Sequence, residues 1–294
     1  MSLTALYDVP APAKLNLFLH ITGRRDDGYH LLQSVFVLID WCDTLHIERR
    51  SDARLARHDL GTALPADDLC LRAARVLQRE SGTSFGADIS IAKRLPSGAG
   101  MGGGSSDAAT TLLGLNRLWG LHWRLPRLLA LGLTLGADLP FFLGGQNAFV
   151  EGIGERLTPV RLPRQWLAVV KPDASLETRA IFESPLLVRN TDAVILEGFL
   201  ADASASRGFG QGSFGRNDLQ PPATSRCAEV AEAAAWLEAR FGNSRMTGSG
   251  SAVFAGAGTG AEPSAAMAVG LPSGWVGRMC RSLEQHPLRG FAEG

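Results

Sequence analysis

The sequence predicts a protein of mixed helices and strands, and three observations predict it. Residues 13–21 alternate apolar and polar side chains with the period of two that belongs to a half-buried strand. Residues 227–240 carry apolar side chains at the spacing of one helix face. Residues 96–104 contain five glycines and lie between a strand-like and a helix-like segment. Strands and helices are thus predicted in both halves of the chain.

In the first half, strands are predicted where β-branched and large apolar residues cluster or alternate. Asp67 or Asp68 is expected to cap a helix whose apolar face includes Leu69, Ala73 and Leu77. The glycine-rich segment is expected to lead into another helix. The predicted elements are strands at 31–39, 44–49 and 89–91, and helices at 69–77, 105–118 and 125–135.

In the second half, residues 147–150 and 157–160 are expected to form a hairpin around the turn at 152–154. A buried strand is predicted at 166–170 and a helix at 227–240. The serine- and glycine-rich stretch 201–215 is predicted to be a loop. A second glycine-rich loop at 248–250 precedes a strand predicted at 252–255.

Charge and composition restrict the function. The 294 residues carry 29 basic and 29 acidic side chains, and residues 1–155 alone carry 15 and 16. Neither half has the basic excess that binding to nucleic acid or to a membrane surface requires, so we expect neither partner. With 45% hydrophobic residues, the chain has enough apolar side chains for a large core.

Cysteine spacing and the terminal sequence suggest a cytoplasmic protein. The four cysteines are far apart in sequence and form no zinc-binding pattern or disulfide framework. The N-terminal residues show no secretory signal. The longest apolar run, 128–137, is too short to cross a bilayer.

The glycine-rich segment 96–104 predicts a phosphate-binding loop. Glycine permits close approach of the backbone to a ligand, and the start of the following helix offers free N–H groups and a positive dipole end. The segment is not a Walker A loop, because Gly104 stands where lysine is required. It is also a poor dinucleotide fingerprint, because residues 108–137 contain no acid to hold a ribose.

Two charged residues outside this loop are catalytic candidates. Lys14 shares the polar face of the first strand with Asn16; taken alone, it is more simply an exposed lysine. Asp138 is the only acid in a long apolar stretch, so it is either a helix N-cap with Pro140 behind it or a general base. Residues 245–252 are equally compatible with a plain turn and with a ligand loop.

Together these segments resemble the GHMP kinase superfamily. Its three signatures appear in order at 12–17, 96–108 and 247–250. The runs 23–30 and 133–140 resemble the members that act on a cytidine diphosphate-linked polyol. The resemblance extends over about residues 10–255.

The resemblance implies ATP- and Mg²⁺-dependent phosphorylation of the 2-hydroxyl of such a polyol, on the methylerythritol phosphate route to isoprenoid precursors. It implies an α+β, two-domain GHMP kinase fold, with an ATP-binding domain at 1–160, a substrate-side domain at 161–294 and the active site in the cleft between them. Asp138 corresponds to the catalytic base, and Lys14 to the residue that steadies both the base and the transferring phosphoryl group. A carboxylate beside a lysine suits this role, because phosphoryl transfer needs positioning, charge stabilisation and a proton acceptor.

The resemblance also assigns ligand-binding residues and leaves the metal ligands unknown. Tyr29 and Phe182 correspond to an aromatic pair around cytosine. For the oligomeric state, a weak homodimer is the expectation. The substrate residues are Asn16, Tyr29, His30, Phe182 and Gly248. The expected ATP residues are Lys93, Leu95, Pro96, Ser97, Gly98, Ala99, Gly100, Met101, Gly102, Gly103, Gly104, Ser105 and Ser106.

Three other interpretations compete with this one. A related kinase of mevalonate or homoserine would have no use for the aromatic residues Tyr29 and Phe182. A non-catalytic nucleotide-binding protein would not need both Lys14 and Asp138. An RNA-binding module is disfavoured by the balanced charge. The third lysine of the chain, Lys171, is expected at the surface.

Overall fold

The first half of the chain contains most of the strands. This computed structural model describes residues 3–205, 215–267 and 270–292. The elements are β1 (Ala5–Arg24), β2 (His30–Arg50), β3 (Leu55–Asp59), α1 (Leu69–Ser81), β4 (Gly86–Ala92), α2 (Gly103–Leu118), α3 (Leu125–Leu133), α4 (Leu139–Gly144), β5 (Ala148–Glu151) and β6 (Arg156–Pro159).

The described part of the second half contains four strands, four α-helices and one 3₁₀ helix. Its elements are β7 (Trp166–Lys171), α5 (Thr178–Phe182), α6 (Leu196–Ala205), α7 (Gln220–Arg226), α8 (Ala228–Phe241), β8 (Arg245–Met246), β9 (Val253–Gly256), β10 (Val276–Arg281) and a 3₁₀ helix (Arg289–Ala292). In the described part of the chain, no helix has the length and apolar character needed to cross a membrane.

The strands form two sheets, and the α+β prediction is confirmed. The larger sheet has the order β3-β4-β2-β5-β6, with β1 paired to β2; all its pairs are antiparallel except β3 with β4. The smaller sheet has the order β10-β7-β9-β8 and is antiparallel. Helices α1 and α2 pack on the larger sheet, and α8 packs on the smaller one.

Strand β1 is buried on both faces rather than on one. Leu15 and Leu17 pack in one core cluster, and Leu19 and Ile21 pack in another. Its polar residues are buried as well, because other segments cover the face that the alternation predicted to be open. Met101 and Phe36 lie against Lys14, and residues 247–248 of the second half bond to Asn16. The buried polar residues of β1 are Lys14, Asn16 and His20.

The last described residues return to the larger sheet. The N–H of Leu283 donates to the carbonyl of Leu38 at 2.7 Å. The hydroxyl of Thr110 on α2 lies 3.2 Å from Nε2 of the buried His286. Leu288 and Ala292 join the core cluster around α2. The division into domains at 1–160 and 161–294 stays a prediction.

Most predicted elements are confirmed, and the differences are local. The predicted strands at 31–39 and 44–49 are one strand, β2, because the pairing with β1 shifts register near Pro12 and lets β2 continue. Part of the predicted loop 201–215 is helical, because α6 extends to position 205; positions 206–214 lie outside the described residues. Helix α4 matches the helix that one interpretation of Asp138 predicted, whereas the elements β3, α5–α7, β8 and β10 were not predicted.

Candidate active site

The glycine-rich loop ends in an uncapped helix start. Gly98, Gly100 and Gly102 all have φ between 60° and 71°, a region that favours glycine. Gly102 is the N-cap of α2 and supplies no side-chain capping bond. The backbone N–H groups at the start of α2 therefore receive no capping side chain from this position, as an anion site requires.

This loop lines a cavity of about 330 Å³. Lys93, Leu95 and all of residues 96–104 line it, so the structure brings together eleven of the thirteen expected ATP residues. Ser105 and Ser106 do not line it, and the hydroxyl of Ser106 donates to the carbonyl of Pro12 at 2.6 Å. Leu64, Pro65 and Leu69 give one end of the cavity an apolar wall.

The second glycine-rich loop lies directly on the first. The N–H groups of Ser251 and Ala252 donate to the carbonyls of Gly98 and Ala99 at 3.0 and 3.2 Å. A Cβ built on Gly100 would lie 2.3 Å from the carbonyl oxygen of Thr247. The two loops touch through their backbones, so residues 247–252 are more than a plain turn.

Lys14 is buried beside the phosphate loop. Its N–H donates to the carbonyl of Met101 at 3.0 Å, and its Nζ donates to Oδ1 of Asn16 at 2.6 Å. The ammonium also lies 4.6 Å from the ring centre of Phe36. Burial lowers the pKa of Lys14, and the negative charge of Asp138 opposes that shift.

Asp138 occupies the N-cap position of α4 without acting as a cap. Its side chain makes no capping hydrogen bond. Lys14 and Asp138 interact through space, since no ion pair within 4 Å joins them among the described residues. A Cβ on Gly102 would lie 2.9 Å from the ring of Phe142 on α4 and 3.3 Å from Cγ of Lys14. The phosphate loop, Lys14 and α4 therefore meet at one point.

Asn16 connects β1 to the second glycine-rich loop. Its Oδ1 accepts from Lys14, from the hydroxyl of Thr247 at 3.2 Å and from the N–H of Gly248 at 2.9 Å. Its Nδ2 donates to Ser34 at 3.0 Å. Protein groups thus occupy the polar atoms of Asn16, except for one N–H of its amide. Its contact with substrate, like that of Gly248, stays a prediction.

A second cavity, of about 640 Å³, contains the expected cytidine residues. Tyr29, His30 and Phe182 line it together with Arg179, and Tyr29 is 61% exposed. The rings of His30 and Phe182 are 5.1 Å apart between centres. The side chains thus leave an open space flanked by aromatic rings.

The hydrogen bonding of His30 fixes its tautomer. Nε of Arg189 donates to Nε2 of His30 at 3.2 Å, so the remaining proton is on Nδ1. Burial, Arg189 and Arg24 all lower the pKa of His30, which keeps the ring neutral near pH 7. A neutral ring with a donor at Nδ1 can bind an acceptor atom of a base.

The other two lysines differ from expectation. Lys171 is 9% exposed rather than at the surface, because its Nζ donates to the carbonyls of Pro172 and Ala174 at 2.9 and 2.7 Å. Lys93 lines the 330 Å³ cavity beside the glycine-rich loop, but its ammonium binds the carboxylates of Asp43 and Asp107. Its direct contact with ATP stays a prediction.

The sequence reasoning missed Asp43 and Arg189. Asp43 is fully buried in β2 and accepts the ammonium of Lys93. An acid inside a strand-forming stretch was the available signal, but Asp40 nearby showed the same pattern. Arg189 lies far from His30 in sequence, and nothing in the pattern joined them.

Comparisons with known proteins give a consistent result. A family model described as the GHMP kinases N terminal domain matches residues 68–146. The chain is 68% identical to 4-diphosphocytidyl-2-C-methyl-D-erythritol kinase of Methylibium petroleiphilum over 290 residues, covering 98% of each chain, and 57% identical to the protein of that name from Variovorax paradoxus, covering 98% and 99%. A crystal structure of 4-(cytidine 5'-diphospho)-2C-methyl-D-erythritol kinase is 35% identical with a TM-score of 0.73, covering 85% of this chain and 89% of that one.

Proposed function

Because the chain belongs to the 4-diphosphocytidyl-2-C-methyl-D-erythritol kinase family of GHMP kinases, we propose that it transfers the γ-phosphoryl group of ATP to the 2-hydroxyl of 4-diphosphocytidyl-2-C-methyl-D-erythritol. The products are ADP and the 2-phosphate, an intermediate of isoprenoid precursor biosynthesis. The observation that carries this proposal is the meeting of Lys14, α4 and the uncapped start of α2 at Gly102, which lines the 330 Å³ cavity.

The proposed division of roles follows from the chemistry of phosphoryl transfer. The N–H groups of residues 98–104 hold the ATP phosphates, and the helix dipole of α2 favours their negative charge. Asp138 accepts the proton of the attacking hydroxyl, and Lys14 stabilises charge on the transferred group. Placing the active site between residues 1–160 and 161–294 is supported by the backbone contact between the two glycine-rich loops.

Mg²⁺ is part of the proposal. The described residues contain no group of three or more His, Cys, Asp or Glu side chains that could hold a metal ion. A magnesium ion bound mainly by ATP phosphates and water does not need such a group. Ser105, half-buried in the first turn of α2, is the hydroxyl that this chain would supply as a ligand. When bound, the ion neutralises charge on the phosphates.

The cytidine residues explain the proposed choice of substrate. Tyr29 and Phe182 flank the base, and His30 binds its polar edge from the 640 Å³ cavity. A partner nucleic acid is not part of the proposal. A weak homodimer stays a prediction, which sedimentation equilibrium would test.

A coupled assay of ADP release tests the function directly. We expect release to require the diphosphocytidyl substrate and to be absent with mevalonate or homoserine. Lys14→Ala and Asp138→Ala should abolish it, while wild-type protein without the acceptor serves as the control. Comparable turnover of mevalonate would refute the substrate assignment, and full activity of Asp138→Ala would refute the general-base role.

A further inference from the structure

A buried ion cluster lies beneath the phosphate loop. Asp43 of β2 has no exposed surface, and Asp107 of α2 is 2% exposed. The ammonium of Lys93, which directly follows β4, donates to both carboxylates, at 2.6 Å to Oδ2 of Asp107. One ammonium therefore connects β2, the end of β4 and the first turns of α2.

Asp43 also holds the backbone where the chain enters the loop. Its Oδ1 accepts from the N–H of Arg94 at 2.5 Å and from the N–H of Leu95 at 2.8 Å. These two residues come immediately before Pro96. The N–H of the buried Leu95 requires an acceptor, and a carboxylate is a strong one, so Asp43 fixes the path of the chain at this point.

The same carboxylate lies under the other end of the loop. A Cβ built on Gly103, the first residue of α2, would be 3.6 Å from Oδ2 of Asp43. The entry to the loop at 94–95 and its exit at Gly103 therefore share one neighbour. Both ends must keep their spacing if the N–H groups between them are to face the same phosphates.

We propose that Asp43 is a positioning residue for the phosphate donor. Asp43 acts through Lys93 and the backbone of residues 94–95, and so holds both ends of the phosphate loop. This proposal rests on the proposed kinase function, because it takes the loop to bind the phosphates of ATP. Asp43 does not itself contact the nucleotide, since it is absent from the residues that line the cavity.

The cluster contains two carboxylates for one ammonium. The carboxylate of Asp43 can therefore be replaced by an amide without leaving the ammonium of Lys93 unpaired. Burial raises the pKa of Asp107 to about 7, Lys93 opposes that shift, and Asp43 adds to it. Asp43→Asn keeps an oxygen for the two N–H groups and leaves Lys93 paired with Asp107 alone. This variant is expected to fold. Asp43→Ala removes every one of these contacts.

Nucleotide binding to the purified protein tests the proposal without turnover. ADP affinity is measured by calorimetry with Mg²⁺ present, and adenosine affinity is measured by competition. We expect Asp43→Asn to bind ADP about tenfold more weakly, the loss of about one charge-assisted contact. Asp43→Ala should lose more. Adenosine affinity and the KM for the cytidine substrate should change less than about twofold, because neither involves the phosphate loop.

Asp218→Asn is the matched control. Its carboxylate is also buried, and it accepts from the N–H of Ile21 at 2.8 Å and from the hydroxyl of Thr191 at 2.6 Å, away from the phosphate loop. It should leave ADP affinity unchanged. Wild-type ADP affinity in Asp43→Asn, or equal losses of ADP and adenosine, would overturn the positioning role. Failure of the wild-type protein to bind ADP would instead refute the proposed function, and this proposal with it.

Discussion

Replacing Gly100 with alanine would test whether the two glycine-rich loops must touch through their backbones. The new Cβ would lie 2.3 Å from the carbonyl oxygen of Thr247 and 3.1 Å from the N of Gly250. Real Cβ atoms do not approach other atoms to 2.3 Å, and both neighbours are backbone atoms that cannot rotate aside.

The expected cost has two parts. Gly100 has φ of 71°, where an L-residue other than glycine costs roughly 1–2 kcal/mol. Moving one loop away from the other resembles overpacking of a core, which costs about 1–3 kcal/mol. We therefore expect Gly100→Ala to lower the free energy of unfolding by about 2–5 kcal/mol and to raise the KM for ATP.

Gly98→Ala separates these two parts. Gly98 has a similar φ of 60°, but its Cβ would meet only the side chain of Ser175, at 3.1 Å from Oγ. Urea denaturation should therefore show a loss of only about 1–2 kcal/mol for this variant. If the two variants lose equal free energy of unfolding, the close contact with Thr247 does not constrain the loop.

Three further variants have distinct readouts. Burial lowers the pKa of His286 to about 4, below the value of about 6.5 in an unfolded chain, so the unfolded state binds more protons between these values. The free energy of unfolding should fall by about 3 kcal/mol as the pH drops from 6.5 to 4, and His286→Gln, measured by urea denaturation, should not show this fall. Lys14→Met keeps the buried volume but removes the ammonium, so kcat should fall at least about 100-fold with little change in Tm; a loss below about tenfold would contradict its role. Phe182→Ala should raise the KM for the cytidine substrate about tenfold and leave the KM for ATP unchanged, as steady-state kinetics will show; an equal rise of both would argue against a cytidine pocket.

Local signals explain which parts of the structure were predictable. The alternation at 13–21 and the glycines at 98–104 reflect the geometry of neighbouring residues, and both predictions are confirmed as a strand and as a loop before a helix. Asp68 caps α1, with its Oδ1 accepting from the N–H of Leu71 at 3.0 Å, as an acid before an apolar helix face predicts.

Contacts between distant segments explain what was missed. Alternation along β1 predicted one buried face, but Met101 of the first glycine-rich loop and Phe36 of β2 lie against Lys14 on the other face, so Lys14 is buried. Lys171 is buried because two carbonyls of the following turn accept its ammonium. Asp43 meets Lys93 fifty residues later only because β2 pairs with β4, and no pattern within either strand specifies that pairing.

The return of residues 283–292 to α2 has a consequence for synthesis of the protein. The helix that begins at the phosphate loop is completed by side chains from the far end of the described chain, Leu288 and Ala292, and by the bond between Thr110 and His286. A nascent chain that has emerged only to β10 leaves this side of α2 uncovered. The first half of the chain, although it is made first, thus cannot finish packing until these residues leave the ribosome.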